Sequence, residues 1–156
     1  MKILAFLQNP WFHEGISQRH IEMYRDDQDF HRRVLAMSMS GRRLQMAFGE
    51  LYNDIHWDNT NWRPANHASG KEKPDLDHVM RILKSQDWSL ILTFGNQAKN
   101  AITLLLNSRH KYYVKLNHTR ANVLFCHHPN ARHRTQVDLN NFASIIKELC
   151  AQTTPH

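Results

Sequence analysis

The apolar positions fall into two kinds of pattern, short unbroken runs and longer stretches repeating every three to four residues. Three runs of five residues stand out: Ile3–Leu7, Leu90–Phe94 (LILTF) and Asn122–Cys126 (NVLFC). Each is rich in β-branched or aromatic side chains and ends at a polar residue or a glycine, which predicts buried strands. Continuous rather than alternating apolarity predicts a parallel sheet covered on both faces. A weaker fourth strand is read at Asp54–Trp57 in "NDIHWDN".

The helical stretches lie between these runs. Ser17–Arg25 is amphipathic and polar, and Asp29–Met39 offers Phe30, Val34, Leu35 and Met37 or Met39 as apolar positions. Gly41 opens "RRLQMAFGELY", where Leu44, Ala47, Phe48 and Leu51 recur at helical spacing. Pro74–Ser85 begins with a first-turn proline and carries Asp75 and Asp77 near the positive helix end. Asn96–Ser108 turns Ala98, Ile102 and Leu105 inward, and Val137–Gln152 places Val137, Phe142, Ile145, Ile146 and Leu149 on one face. The resulting order, β–α–α–(β)–α–β–α–β–α, predicts a three-layer α/β/α sandwich with a central four-stranded, mostly parallel sheet, formed by one domain over residues 1–156.

Right-handed crossovers put all strand C-terminal ends on one edge, where open α/β sheets bind ligands. The segments expected there are Gln8–Gly15, Asp58–Pro64, Gly95–Gln97 and His127–Arg134, all rich in amide, imidazole, aromatic or guanidinium groups. Residues 58–74, "DNTNWRPANHASGKEKP", form the one long turn-rich stretch.

Composition narrows the functional classes. Apolar residues make up 41% and charged residues 22%, as in a soluble globular chain, and a net charge of +6 suits a polyanionic partner. Two cysteines, Cys126 and Cys150, are too few for a four-thiolate cluster. No apolar run approaches the ~18 residues of a membrane span, so no membrane partner and a cytoplasmic location are expected. There is no P-loop, dinucleotide-binding glycine fingerprint, nucleophile elbow or HExxH helix.

Two strand ends carry the candidate chemistry. The first reads Leu7-Gln8-Asn9-Pro10-Trp11-Phe12, and the second Cys126-His127-His128-Pro129-Asn130-Ala131-Arg132-His133-Arg134. The adjacent His127 and His128 are expected to diverge, one toward the pocket and one toward the sheet flank. His127, His128 and His133 offer at most three metal ligands, and the favoured reading has no metal and no organic cofactor. The second loop is basic and rich in hydrogen-bonding groups, a suitable dock for phosphates.

Taken together, the two loops resemble motifs of the uracil-DNA glycosylase superfamily. That family ends its first strand in Gly-Gln-Asp-Pro or Gly-x-Asn-Pro and leaves its last strand through His-Pro-Ser-Pro or a variant. "LILTFGNQAKNAI" is similar to its third strand and following helix. The Asn-Pro pair is closest to the mismatch-specific and single-strand-selective branches. The resemblance implies monofunctional hydrolysis of an N-glycosidic bond to a uracil-type or modified base. Asn9 would hold the attacking water, orienting it without serving as general base, because an amide does not take up the proton. His128 would donate to the oxygen of the departing base. Gln8 would offer backbone groups to the base, and Phe12 or Trp11 would stack on it once flipped. Asn59 and Asn61 are the candidates for reading its Watson–Crick edge. Asn130 and His133 would lie along the phosphates, with Arg132 or Arg134 gripping phosphate or filling the gap in the duplex. The implied partner is DNA, duplex or single-stranded, met by a monomer. Leu7 stands where the family has glycine, and Asn130 where it has serine. Two other readings fit the same residues: a catalytically silent DNA- or base-binding regulator or inhibitor of the same fold, and a histidine-based, metal-dependent nucleotide-processing enzyme.

Overall fold

The computed structural model of the chain describes residues 1–8, 17–63, 73–115, 122–130 and 135–153. The strands are β1 (Ile3–Leu7), β2 (Ile55–Asn59), β3 (Leu90–Phe94) and β4 (Asn122–Cys126). The helices are α1 (Gln18–Asp26), α2 (Gln28–Met37), α3 (Met39–Phe48), α4 (Leu76–Ser85), α5 (Asn96–Leu105) and α6 (Thr135–Thr153), and a 3₁₀ helix spans Gly49–Asp54. The four strands form one wholly parallel sheet in the order β2-β1-β3-β4. The α/β class expected from the pattern is thus the observed one.

Alternate residues of each strand feed two separate cores, as the pleat requires. Ile3, Ala5, Leu7, Trp57, Leu92 and Phe94 face α2, α3, the 3₁₀ helix and α6. Leu4, Phe6 and Ile91 face α4 and α5, meeting Val79, Leu83, Ala98 and Ile102. All five residues of β1 and of β3 are buried, since both strands are interior and covered on both faces. β4, at one edge, is exposed at Asn122 and Val123.

The opposite edge is treated differently. Gln28, the first residue of α2, donates its amide to the Trp57 carbonyl at 2.9 Å and accepts the Trp57 N–H at 2.6 Å. One side chain thereby closes the free backbone pair of β2 where another strand would otherwise bond.

Hydroxyl and carboxylate caps set the helix starts. Ser17, Asp27, Ser38 and Asp75 each accept a backbone N–H from the third residue on. Asp75 is therefore a cap, and Pro74 precedes the helix it was expected to open. Ser38 caps α3, which begins at Met39, two residues before the expected Gly41. Gly41 instead permits the tight α2–α3 corner, where a Cβ would lie 1.7 Å from the Leu35 carbonyl oxygen.

Several helical faces differ from expectation. Met37 and Met39 are 78% and 55% exposed, because the chain turns at Ser38 and lifts them off the core. In α6, Leu139, Ala143 and Ile146 form the buried stripe, while Val137 and Ile145 lie off it and are exposed. The fourth strand runs to Asn59 rather than ending at Trp57, so Asp58 and Asn59 belong to the sheet and are buried. No helix among the described residues is long and apolar enough to cross a membrane.

Candidate functional site at the C-terminal sheet edge

β1 connects to β2 on one side and β3 lies on its other side, so the strand order reverses between β1 and β3. The rule for open α/β sheets therefore assigns the ligand crevice to the ends of β1 and β3, beside Gln8 and Gly95. Gly95 has φ +92° and ψ 163°, a conformation reserved for glycine, and its N–H donates to the Cys126 carbonyl at 2.8 Å. A Cβ there would come within 3.3 Å of His128 Cβ. The missing side chain thus lets the histidine after β4 lie against the end of β3.

His128 is half-buried, and burial holds its imidazole below the ordinary histidine range. The Asn130 N–H donates to His128 Nδ1 at 3.1 Å. Nδ1 is therefore the acceptor, and the neutral ring carries its proton on Nε2. Arg43 of α3 fixes this turn from below, donating to the Pro129 carbonyl at 2.6 Å and lying 3.4 Å from Asn130 Oδ1. His127 diverges as expected, exposed and edge-on to Phe125. Burial pushes the Cys126 thiol up to about 11, so it is no thiolate nucleophile at neutral pH.

The other expected residues are placed with less freedom. The Gln8 carbonyl accepts the Asn61 N–H at 3.0 Å and the Thr60 hydroxyl at 2.8 Å. With both lone pairs engaged, this carbonyl has none left for a base. Asn61 donates its amide to the Lys73 carbonyl and accepts the Arg63 N–H, pinning the loop on itself. Asn59 turns toward the helices and donates to the Tyr24 hydroxyl at 3.1 Å. Both amides stand at the expected edge, each with an N–H engaged inside the protein. Asn9, Trp11, Phe12, Arg132, His133 and Arg134 lie outside the described residues.

Beside this edge sits a buried polar cluster that no motif announces. Asp58 receives His78 Nε2 at 2.8 Å and the Asn59 N–H at 2.8 Å, with His56 Nε2 at 3.6 Å. Burial alone would raise the Asp58 carboxyl, but His56 and His78 hold it well below the usual carboxylate range. Burial drives the Tyr24 phenol far above its ordinary value. Tyr24 stacks on His31 with centroids 3.8 Å apart, and its carbonyl accepts from His31 Nδ1 at 3.1 Å. Burial pushes His31 down to about 4, and its Nε2 has no hydrogen-bond partner among the described residues. The sequence signal available was the His56–Asp58 alternation, which puts two polar groups on one face of β2; nothing marked Tyr24, His31 or Arg43. Among the described residues no group of three or more His, Cys, Asp or Glu side chains is arranged to hold a metal ion.

Comparison with known proteins adds no relative: no family model matches the chain, and no curated protein or solved structure matches it either.

Proposed function

We propose that the chain excises a base from DNA by hydrolysing its N-glycosidic bond, in the manner of a divergent uracil-DNA glycosylase-like enzyme. The observation that carries this reading is the state of His128. Breaking the bond leaves negative charge on the base, and a preorganised neutral donor is what that charge calls for. His128 is held neutral by burial, its Nδ1 is occupied by the Asn130 N–H, and its proton sits on Nε2. It stands on the C-terminal edge of a parallel sheet, one strand beyond the reversal of strand order.

In this reading Asn9 orients the water that attacks the sugar, and Phe12 or Trp11 walls the extruded base. Asn130, Arg132, His133 and Arg134 take the phosphates on the β4 side. The test is release of an abasic site from single- and double-stranded oligonucleotides carrying uracil, mismatched or modified bases. Activity that His128→Ala abolishes supports the reading; activity that survives it removes His128 from the mechanism.

A second reading is favoured by one observation. Asn59 and Asn61 each have an amide N–H engaged internally, which suits a protein that binds DNA without reading and excising a base. That reading expects binding on the same panel and no abasic product.

A further inference from the structure

Trp62 and Arg63 leave the end of β2 immediately after Asn61, and α1 brings Arg25 to the same place. The Arg25 guanidinium carbon lies 4.7 Å from the Trp62 ring centroid and that of Arg63 lies 4.6 Å away. The indole is fixed by its N–H, which donates to Asp75 Oδ2 at 3.2 Å, while Asp75 Oδ1 caps α4. The backbone of Arg63 is held by Asn61 Oδ1 at 3.0 Å. Two guanidiniums are thus ordered over one aromatic ring before any partner arrives.

Both cations remain accessible, Arg63 at 61% and Arg25 at 30% side-chain exposure. Arg25 is forked onto Asp26 at 2.7 and 2.9 Å, and Arg63 has a long 3.4 Å contact with Asp75. A guanidinium has five N–H donors, so these contacts leave donors for a further planar or tetrahedral oxyanion. We propose that Arg25, Trp62 and Arg63 form a docking surface for the phosphodiester backbone of a single DNA strand crossing the C-terminal sheet edge. The proposal rests on the base-excision reading for the identity of the polymer.

A nucleic acid strand alternates anions with flat rings, and a guanidinium answers both, pairing with phosphate through its N–H edge and stacking through its plane; an acidic peptide supplies only the anions. The chain's +6 charge favours such a partner. Hydrogen bonds from Thr60 and Asn61 to the Gln8 carbonyl tie the surface to the end of β1. A strand gripped there is led toward the β1–β3 crevice and His128.

The test is fluorescence anisotropy of a labelled oligothymidine of about 12 nucleotides, at salt from about 50 to about 200 mM. Wild type is compared with Arg63→Gln, Arg25→Gln/Arg63→Gln and Trp62→Leu, with polyglutamate as competitor. Arg63→Gln is expected to weaken binding several-fold and to lower the slope of log affinity against log salt by about 0.7, the share of one phosphate on a single strand. The double variant lowers it further, and Trp62→Leu weakens binding while leaving the slope in place. A wild-type slope in Arg63→Gln, or polyglutamate competing as well as DNA, overturns the proposal. Arg63 is exposed enough for its variant to fold, which an unchanged urea midpoint verifies. Oligothymidine binding needs no cleavage, so the two failures separate. Arg63-dependent binding without abasic product on any substrate leaves the surface and sinks excision. Cleavage with Arg63-independent binding does the reverse.

Discussion

Replacing His31 by phenylalanine should remove about 3 kcal/mol of the acid sensitivity of the fold between pH 6.5 and pH 4. His31 is 2% exposed, stacked on Tyr24, and bonded through Nδ1 to the Tyr24 carbonyl. A carbonyl only accepts, so Nδ1 carries the proton of the neutral ring and Nε2 is a bare lone pair. A second proton would charge a ring with no acceptor at Nε2 among the described residues, with Asp58 the nearby anion that favours it and His56 and His78 opposing. Burial dominates and sets the folded value at about 4, against about 6.5 in the unfolded chain. Below pH 6.5 the unfolded chain therefore takes up a proton that the folded chain refuses. Stability is complete above that pH and falls as pH drops toward the folded value. With about 1.4 kcal/mol per pH unit between the two values, the loss is about 2 kcal/mol by pH 5 and about 3 kcal/mol by pH 4. Asp58 does not blur this window: its depressed carboxyl contributes fully above the ordinary carboxylate range and loses its contribution only below about pH 4. Urea denaturation across the window, in wild type and His31→Phe, reads the difference directly. The variant should lose about 1 kcal/mol at neutral pH with the bond to Tyr24, then follow a flatter profile. An equal acid loss in both proteins would refute the assignment to His31.

Other perturbations test the parts that position the edge. Gln28→Ala should cost about 2 kcal/mol by urea denaturation, because it strips two hydrogen bonds from the Trp57 backbone, and light scattering should report association through the opened β2 edge. Gly95→Ala should cost about 2 kcal/mol through its glycine-only backbone conformation. It should also shift the His128 ring resonances, since the new Cβ lies 3.3 Å from His128 Cβ; unchanged resonances would show that the glycine does not set the histidine's place.

The sequence displayed the sheet more readily than the site, for physical reasons. β1 and β3 were legible to the residue because buried parallel strands must be continuously apolar; β4 was bounded correctly as a strand, but at the sheet edge it is not the buried one its apolar run predicted. β2 was legible only in part: its last two residues are Asp58 and Asn59, buried polar groups whose partners come from α1 and α4. Long-range partners leave no local trace. The same holds for Arg43, which reaches Pro129 across 86 positions of chain. Met37, Met39, Val137 and Ile145 carried an apolar signal without burial, since hydropathy reports composition and the capping serine and helix phase decide which face turns inward. His128 and Gln8 were placed correctly on the edge by the strand-end rule. That rule does not say which groups are already engaged, and the structure shows the Gln8 carbonyl filled and one amide donor each of Asn59 and Asn61 committed.

The central proposal is that His128, neutral and protonated on Nε2, assists departure of a base from DNA. Its most direct test is abasic-site formation on uracil-, mismatch- and modified-base strands, measured for wild type, His128→Ala and Asn9→Ala. The account predicts product from wild type on at least one substrate and a loss of at least about a hundredfold in His128→Ala, the scale of removing one preorganised donor. Wild-type turnover that both variants retain, or no product from any substrate, would contradict it.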